Sequence, residues 1–166
     1  MKKEEVFPYW NELAGKALKG KSIVRVRYLT EDEKKHLMWD KSSIVIHLNT
    51  GEIMFPSMDD EGNDAETLFI EAKKGDLIAP DVCTARDMTK EMPKIRRKLM
   101  NQEIVDAGYL PKDEAELFGL HSLPVFIRLE NGVTLFPMDR IMGEYAGAMF
   151  TTIEGANTLP VLPMDE

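Results

Sequence analysis

Ile23-Val24-Arg25-Val26-Arg27-Tyr28-Leu29 and Ile104-Val105-Asp106-Ala107-Gly108-Tyr109-Leu110 stand 81 positions apart and end on the same Tyr-Leu pair. Extending that offset in both directions without a gap aligns Leu18 with Leu99, Asp32-Glu33 with Asp113-Glu114 and Ile46 with Ile127. It also aligns Leu48 with Leu129, Gly51 with Gly132, Phe55-Pro56 with Phe136-Pro137, Gly62 with Gly143, Ala65 with Ala146 and Phe69 with Phe150. About fifteen identities hold one register over residues 18–69, which chance similarity would not do. A fixed internal period is sought before local structure because it governs the whole architecture. We read the chain as two copies of one unit, residues 1–83 and a diverged copy at 84–166.

Within each copy, pattern and punctuation give the elements. Trp10, Leu13, Ala14, Ala17 and Leu18 fall on one face of an amphipathic helix, with Pro8 suited to its start and Gly20 to its end. Met92, Ile95 and Leu99 repeat the face, with Pro93 readable as the first helical residue. Strands follow at 22–28 and 103–109. Thr30-Glu31-Asp32-Glu33 is a capping-box pattern opening a short helix, and Pro111 opens its counterpart. Two hairpins come next, turning at Asn49-Thr50-Gly51 and Glu130-Asn131-Gly132; the Asn-Gly pair predicts a type I′ turn. Pro56 and Pro137 are expected to end the returning strand or to place it at a sheet edge. Short helices are expected to finish at Phe69 and Phe150. Apolar pieces at Leu77-Ile78-Ala79 and Leu159-Pro160-Val161-Leu162 could each add an edge strand. Each unit therefore reads α-β-α-β-β-α, giving an α+β fold with a mainly antiparallel sheet. Two small units bury more core by packing on each other, so a pseudo-twofold pair is expected, with exchange of elements left open.

Bulk properties narrow the function classes. With 43% apolar and 30% charged residues the composition is that of a globular protein, and no uncharged apolar run approaches a membrane span. The formal charge of −8, spread over both halves, disfavours nucleic acid and anionic lipid. A single cysteine, Cys83, fits a reducing compartment, and no secretory leader is read at the N-terminus, so a cytoplasmic protein is expected.

Three sets of residues invite a functional reading. The loop Ser57-Met58-Asp59-Asp60-Glu61-Gly62-Asn63-Asp64 gathers oxygen ligands, and Asp59, Asp60 and Asp64 are the candidate ligands for a divalent cation. Its spacing is not that of an EF-hand, and the plainer alternative is a polar loop whose Asn63 or Asp64 caps the next helix. Lys94-Ile95-Arg96-Arg97-Lys98 lies on a helix, where Arg96, Arg97 and Lys98 could clamp an anion; a solvated helix face is the plainer alternative. Tyr28, Tyr109, Phe55 and Phe136 recur in both copies, most simply as core and turn residues. As binding residues, the paired Phe-Pro loops would line one cleft on the pseudo-twofold axis. His36, His47 and His121 lack partners at ligand spacing, His47 being placed on the outer face of its strand, and no catalytic triad or nucleotide-binding motif is present.

Arg27-Tyr28-Leu29-Thr30, then Phe55-Pro56-Ser57 and Asp59-Asp60-Glu61-Gly62-Asn63-Asp64-Ala65, resembles a motif string in short bacterial proteins of unknown function. The resemblance covers the first copy from Leu18 to Phe69. It implies no activity, cofactor or catalytic residue; single-unit relatives would be dimers that this chain has fused. The leading expectation is a non-catalytic binding or interaction module for a protein partner or a small molecule, itself a monomer or homodimer. No resident cofactor is expected beyond a divalent cation. The alternatives are a metal-dependent enzyme using the acidic loop, and sequestration of an anionic small molecule between the units.

Overall fold

The structure, a computed structural model, describes residues 2–59, 61, 67–71, 85–138, 145–153 and 157–164. The chain runs α1 (Lys3–Leu18), β1 (Ile23–Tyr28), α2 (Glu31–Leu37), β2 (Ile44–Leu48), β3 (Ile53–Ser57) and β4 (Thr67–Glu71). It continues α3 (Ala85–Leu99), β5 (Ile104–Tyr109), α4 (Lys112–Leu117), β6 (Ser122–Leu123), β7 (Val125–Leu129) and β8 (Thr134–Met138). Three short strands follow, β9 (Ala148–Thr151), β10 (Thr158–Leu159) and β11 (Leu162–Pro163). The fold is α+β, and among the described residues every strand pair is antiparallel.

Local chemistry accounts for most elements. Thr30 Oγ1 accepts from the Glu33 N–H at 3.1 Å while Glu33 returns a carboxylate to the Thr30 N–H at 2.8 Å, closing the capping box of α2. Both hairpins turn on a glycine with positive φ, Gly51 at 104° and Gly132 at 92°. Asn131 is not in that region, so the type I′ expectation is corrected. The Leu129 carbonyl accepts from Gly132, making a three-residue loop in which only glycine needs the left-handed conformation. Pro8 and Pro93 lie inside α1 and α3 rather than at their starts. Each leaves one carbonyl a turn earlier without an intrahelical donor, a loss that tertiary packing must offset.

The strand order differs from what two self-contained units would give. One sheet is β1-β2-β3-β9-β10 and the other β4-β8-β7-β5, with β6 and β11 forming a separate ribbon. Strand β4 thus leaves the first half to pair with β8, and β9 leaves the second half to pair with β3. The helices are exchanged too: α1 packs on β5 and α3 on β1. The expected helices ending at Phe69 and Phe150 are therefore corrected to strands β4 and β9, each taking the open edge of the sheet belonging to the other half. Pro56 and Pro137 are likewise inside strands that have neighbours on both sides. The β2–β3 ladder ends at Ile46↔Met54 and the β7–β8 ladder at Ile127↔Leu135, before either proline. Both prolines are paired on the other side, with Met149 and Leu68 respectively, where their missing N–H is not required.

Registers agree between the halves. Met54↔Thr151, Phe55↔Phe150 and Pro56↔Met149 become Leu135↔Ile70, Phe136↔Phe69 and Pro137↔Leu68 when each number is moved by 81. All described residues with positive φ also fall in three such pairs, Gly20 with Asn101, Met38 with Gly119, and Gly51 with Gly132. The starts of β1 and β5 touch at Ser22↔Glu103. There Ile23 donates to Gln102 at 2.9 Å and Ile104 to Lys21 at 2.7 Å. The main core is continuous across both halves, with Ala14, Leu18, Ile95, Leu99, Tyr109 and Phe136 among its most buried members. Among the described residues no helix is long and apolar enough to cross a membrane.

Candidate functional site

The third helical residue of α2 and of α4 is a glutamate, Glu33 and Glu114, and each meets an arginine from the adjacent sheet. In the first half that arginine is Arg27 on β1. Its two terminal nitrogens reach the two Glu33 oxygens at 2.7 and 2.9 Å, a bidentate fork, and one of them also donates to the Tyr28 carbonyl. Arg27 Nε donates to His47 Nε2 at 3.0 Å, so His47 is neutral and carries its proton on Nδ1. Hydrogen bonding from Arg27 holds the Glu33 carboxyl down to about 2, against the upward pull of burial and with help from the Thr30 N–H. Burial, then the charges of Arg27 and Arg25, hold His47 below its ordinary value.

The consequence is an acid-sensitive contribution to stability. Glu33 is depressed on folding, so below its ordinary value near 4.5 the unfolded chain takes up the extra proton. Stability is fully present above that pH and is lost as pH falls towards 2. Its side chain is 35% exposed, so solvent screening reduces the contribution to about 1–2 kcal/mol. His47 acts in the same direction at higher pH. Urea unfolding at about pH 5 and about pH 3 is expected to give a smaller difference in Glu33→Gln than in the parent. An unchanged difference would remove Glu33 as the cause.

In the second half the arginine has moved. Position 108, equivalent to Arg27, is glycine, and position 128, equivalent to His47, is arginine. Arg128 donates from Nε to Thr134 Oγ1 at 3.0 Å and from a terminal nitrogen to Glu114 at 3.2 Å. Its other terminal nitrogen lies 3.7 Å from Asp106, and the guanidinium sits 5.0 Å from the centre of the Phe126 ring. The glycine admits a neighbour: Asn11 of α1 accepts from the Tyr109 N–H at 2.7 Å. A Cβ at Gly108 would stand only 2.3 Å from that Asn11 oxygen.

Two adjoining cavities flank α1 here. A polar one of about 250 Å³ is lined by Asn11, Asp106, Tyr109, Glu114, Phe126 and Arg128, together with Phe7 and Pro111. A more apolar one of about 380 Å³ lies on the far side of Phe7 and Pro111, walled by Val6, Leu123, Leu162 and Met164. Lys3, Lys112 and Pro163 complete that wall. Met92, at the position matching Asn11, is buried in the core.

The residues singled out from sequence do not converge. Arg96 donates from Nε to the Val26 carbonyl at 3.1 Å, Arg97 is exposed, and the Lys98 carbonyl accepts from Asn131. Tyr109 is buried, with its hydroxyl donating to the Pro160 carbonyl and its ring meeting Phe7, and Tyr28 is also a core residue. The expected Phe-Pro cleft is corrected. Phe55 lies between Trp39 and Phe150, whereas Phe136 is fully buried beside Phe118, so the two rings serve separate clusters. Asp59 accepts from the Glu61 N–H, while Asp60, Asp64 and Cys83 lie outside the described residues. Among the described residues no group of three or more His, Cys, Asp or Glu side chains could hold a metal.

Sequence reasoning missed Phe7, Asn11, Asp106, Glu114 and Arg128 as cavity residues. The signal was available: at the 81-residue offset Glu33 matches Glu114, whereas Arg27 stands opposite Gly108 and His47 opposite Arg128. No protein-family model, curated protein or solved structure matches this chain.

Proposed function

We propose that this chain is a non-catalytic binding module for a small molecule, built from two duplicated units packed about a pseudo-twofold axis. The observation that carries the reading is the pair of adjoining cavities beside α1, an apolar chamber joined to one with a few fixed polar groups. Concave sites of a few hundred Å³ with that division of labour are the usual form of small-molecule sites. The charged groups at the polar end are engaged with one another: Arg128 is shared by Glu114, Asp106 and Thr134. That suits fixed recognition better than proton transfer. The duplication is supported by the ungapped 81-residue offset, the three pairs of positive-φ residues and the matching registers of β9 on β3 and β4 on β8. The single cysteine favours a reducing compartment, and we assign the protein to the cytoplasm.

A panel of small metabolites screened by NMR against the isotope-labelled chain tests the function. At least one compound is expected to move the amide signals of Phe7, Asn11 and Leu123 together, and Val6→Trp, which fills the apolar chamber, is expected to abolish the response. Binding that survives Val6→Trp undiminished would place the ligand elsewhere and end this reading.

A further inference from the structure

We propose that the polar chamber takes the guanidinium head of a small alkylguanidine, with the alkyl stem lying past Phe7 towards the apolar chamber. This names the ligand class of the binding module above and rests on that reading.

The first half shows what the glutamate can hold. There Glu33 accepts from three donors, the two terminal nitrogens of Arg27 and the Thr30 N–H. The matching Glu114 accepts from one, a terminal nitrogen of Arg128 on Oε1. The sequence explains both losses. Residue 111, at the cap of α4, is proline and has no N–H; residue 108 is glycine and has no side chain. Glu114 Oε2 therefore receives no hydrogen bond among the described residues.

Position 108 cannot restore the fork, since a Cβ there would stand 2.3 Å from Asn11 Oδ1, which the Tyr109 N–H holds in place. Arg128 cannot complete it either, because its Nε is committed to Thr134 and its guanidinium lies over the Phe126 ring. Its remaining terminal nitrogen is 3.7 Å from Asp106 Oδ2, too far for a hydrogen bond. Asp106 Oδ1 already accepts from the Ala107 N–H, which leaves Oδ2 as a second open acceptor. Both carboxylates flank the same arginine and line the same chamber of about 250 Å³, against about 30 Å³ for one water molecule in the liquid. A guanidinium fits that space, and its planar fork of N–H groups matches carboxylate oxygens better than the point charge of an ammonium. Phe7 and Pro111 wall both cavities, so an apolar stem leaving the head is covered as it passes them.

The test uses the full chain and three probes of one shape: n-butylguanidinium, n-butylammonium and the neutral n-butylurea. Butylguanidinium is expected to saturate and to move the amide signals of Phe7, Asn11, Ala107 and Glu114. Butylurea is expected to bind at least about tenfold more weakly, and butylammonium about threefold more weakly. Glu114→Gln is expected to weaken butylguanidinium about tenfold, and the more exposed Asp106→Asn about threefold. Equal affinity for butylguanidinium and butylurea, or undiminished binding in Glu114→Gln, would overturn the proposal; should that variant lose the native spectrum, Asp106→Asn decides in its place. A blocked Gly-Arg-Gly peptide presents the same head, and tighter binding of it than of butylguanidinium would overturn the small molecule in favour of a partner's arginine. If butylguanidinium leaves these signals unmoved while a compound in the metabolite panel shifts them, this ligand class falls and the binding reading stands. If neither moves them, both fall.

Discussion

A chain cut once between residues 71 and 85 is expected to stay together as one particle under native conditions, and neither piece alone is expected to hold a folded monomer. The reason is the exchange of elements. The first piece keeps β1, β2 and β3 but loses β9, which pairs with β3 over four residues, and α3, which covers β1. Met92, Ile95 and Leu99 of α3 are buried in the common core, and burial of each such side chain contributes about 1.5–3 kcal/mol. Losing three of them removes an amount comparable to the whole stability of an ordinary domain, about 5–15 kcal/mol. The second piece is no better placed, because β4 and α1 belong to its sheet. A protease site engineered into this stretch, followed by size-exclusion chromatography with light scattering before and after urea, makes the measurement. A monomeric piece with native circular dichroism would contradict the exchanged topology.

Phe136→Ala is expected to cost about 3–5 kcal/mol, whereas Phe55→Ala is expected to cost about half as much. The two phenylalanines occupy equivalent positions in sequence, yet Phe136 is fully buried against Phe118 while Phe55 is partly exposed between Trp39 and Phe150. A cavity left by Phe136 is closed on all sides, so its neighbours lose their contacts outright. At Phe55 water can enter and the two flanking rings can close part of the gap. Urea midpoints of the two variants at constant m-value compare them directly. Equal losses would mean that the second cluster is as tightly packed as the core.

These two cases mark where sequence reasoning stopped. The hairpins were legible because Gly51 and Gly132 mark the one position in each loop that needs positive φ. The start of α2 was legible because Thr30 and Glu33 satisfy each other's backbone N–H groups. The segments ending at Phe69 and Phe150 were misread because four or five residues cannot separate a helical period from a strand period. The prolines misled for a related reason. Whether a missing N–H matters depends on which side of the strand has a partner, and residue order does not state that. On α3 the sequence did not show that Arg96 Nε would donate to the Val26 carbonyl, a partner distant in sequence.

The amino-acid sequence by itself determined the elements that rest on contacts a few residues apart, the caps, turns and amphipathic faces. Only the tertiary structure decided which sheet received β4 and β9, which half each helix covered, and that Phe7, Asn11 and Arg128 would meet around a cavity. The physical reason is that a strand's side chains specify its two faces, whereas the backbone groups on its edges are the same for every residue except proline. Edge partners are therefore chosen by the global packing that buries the most apolar surface.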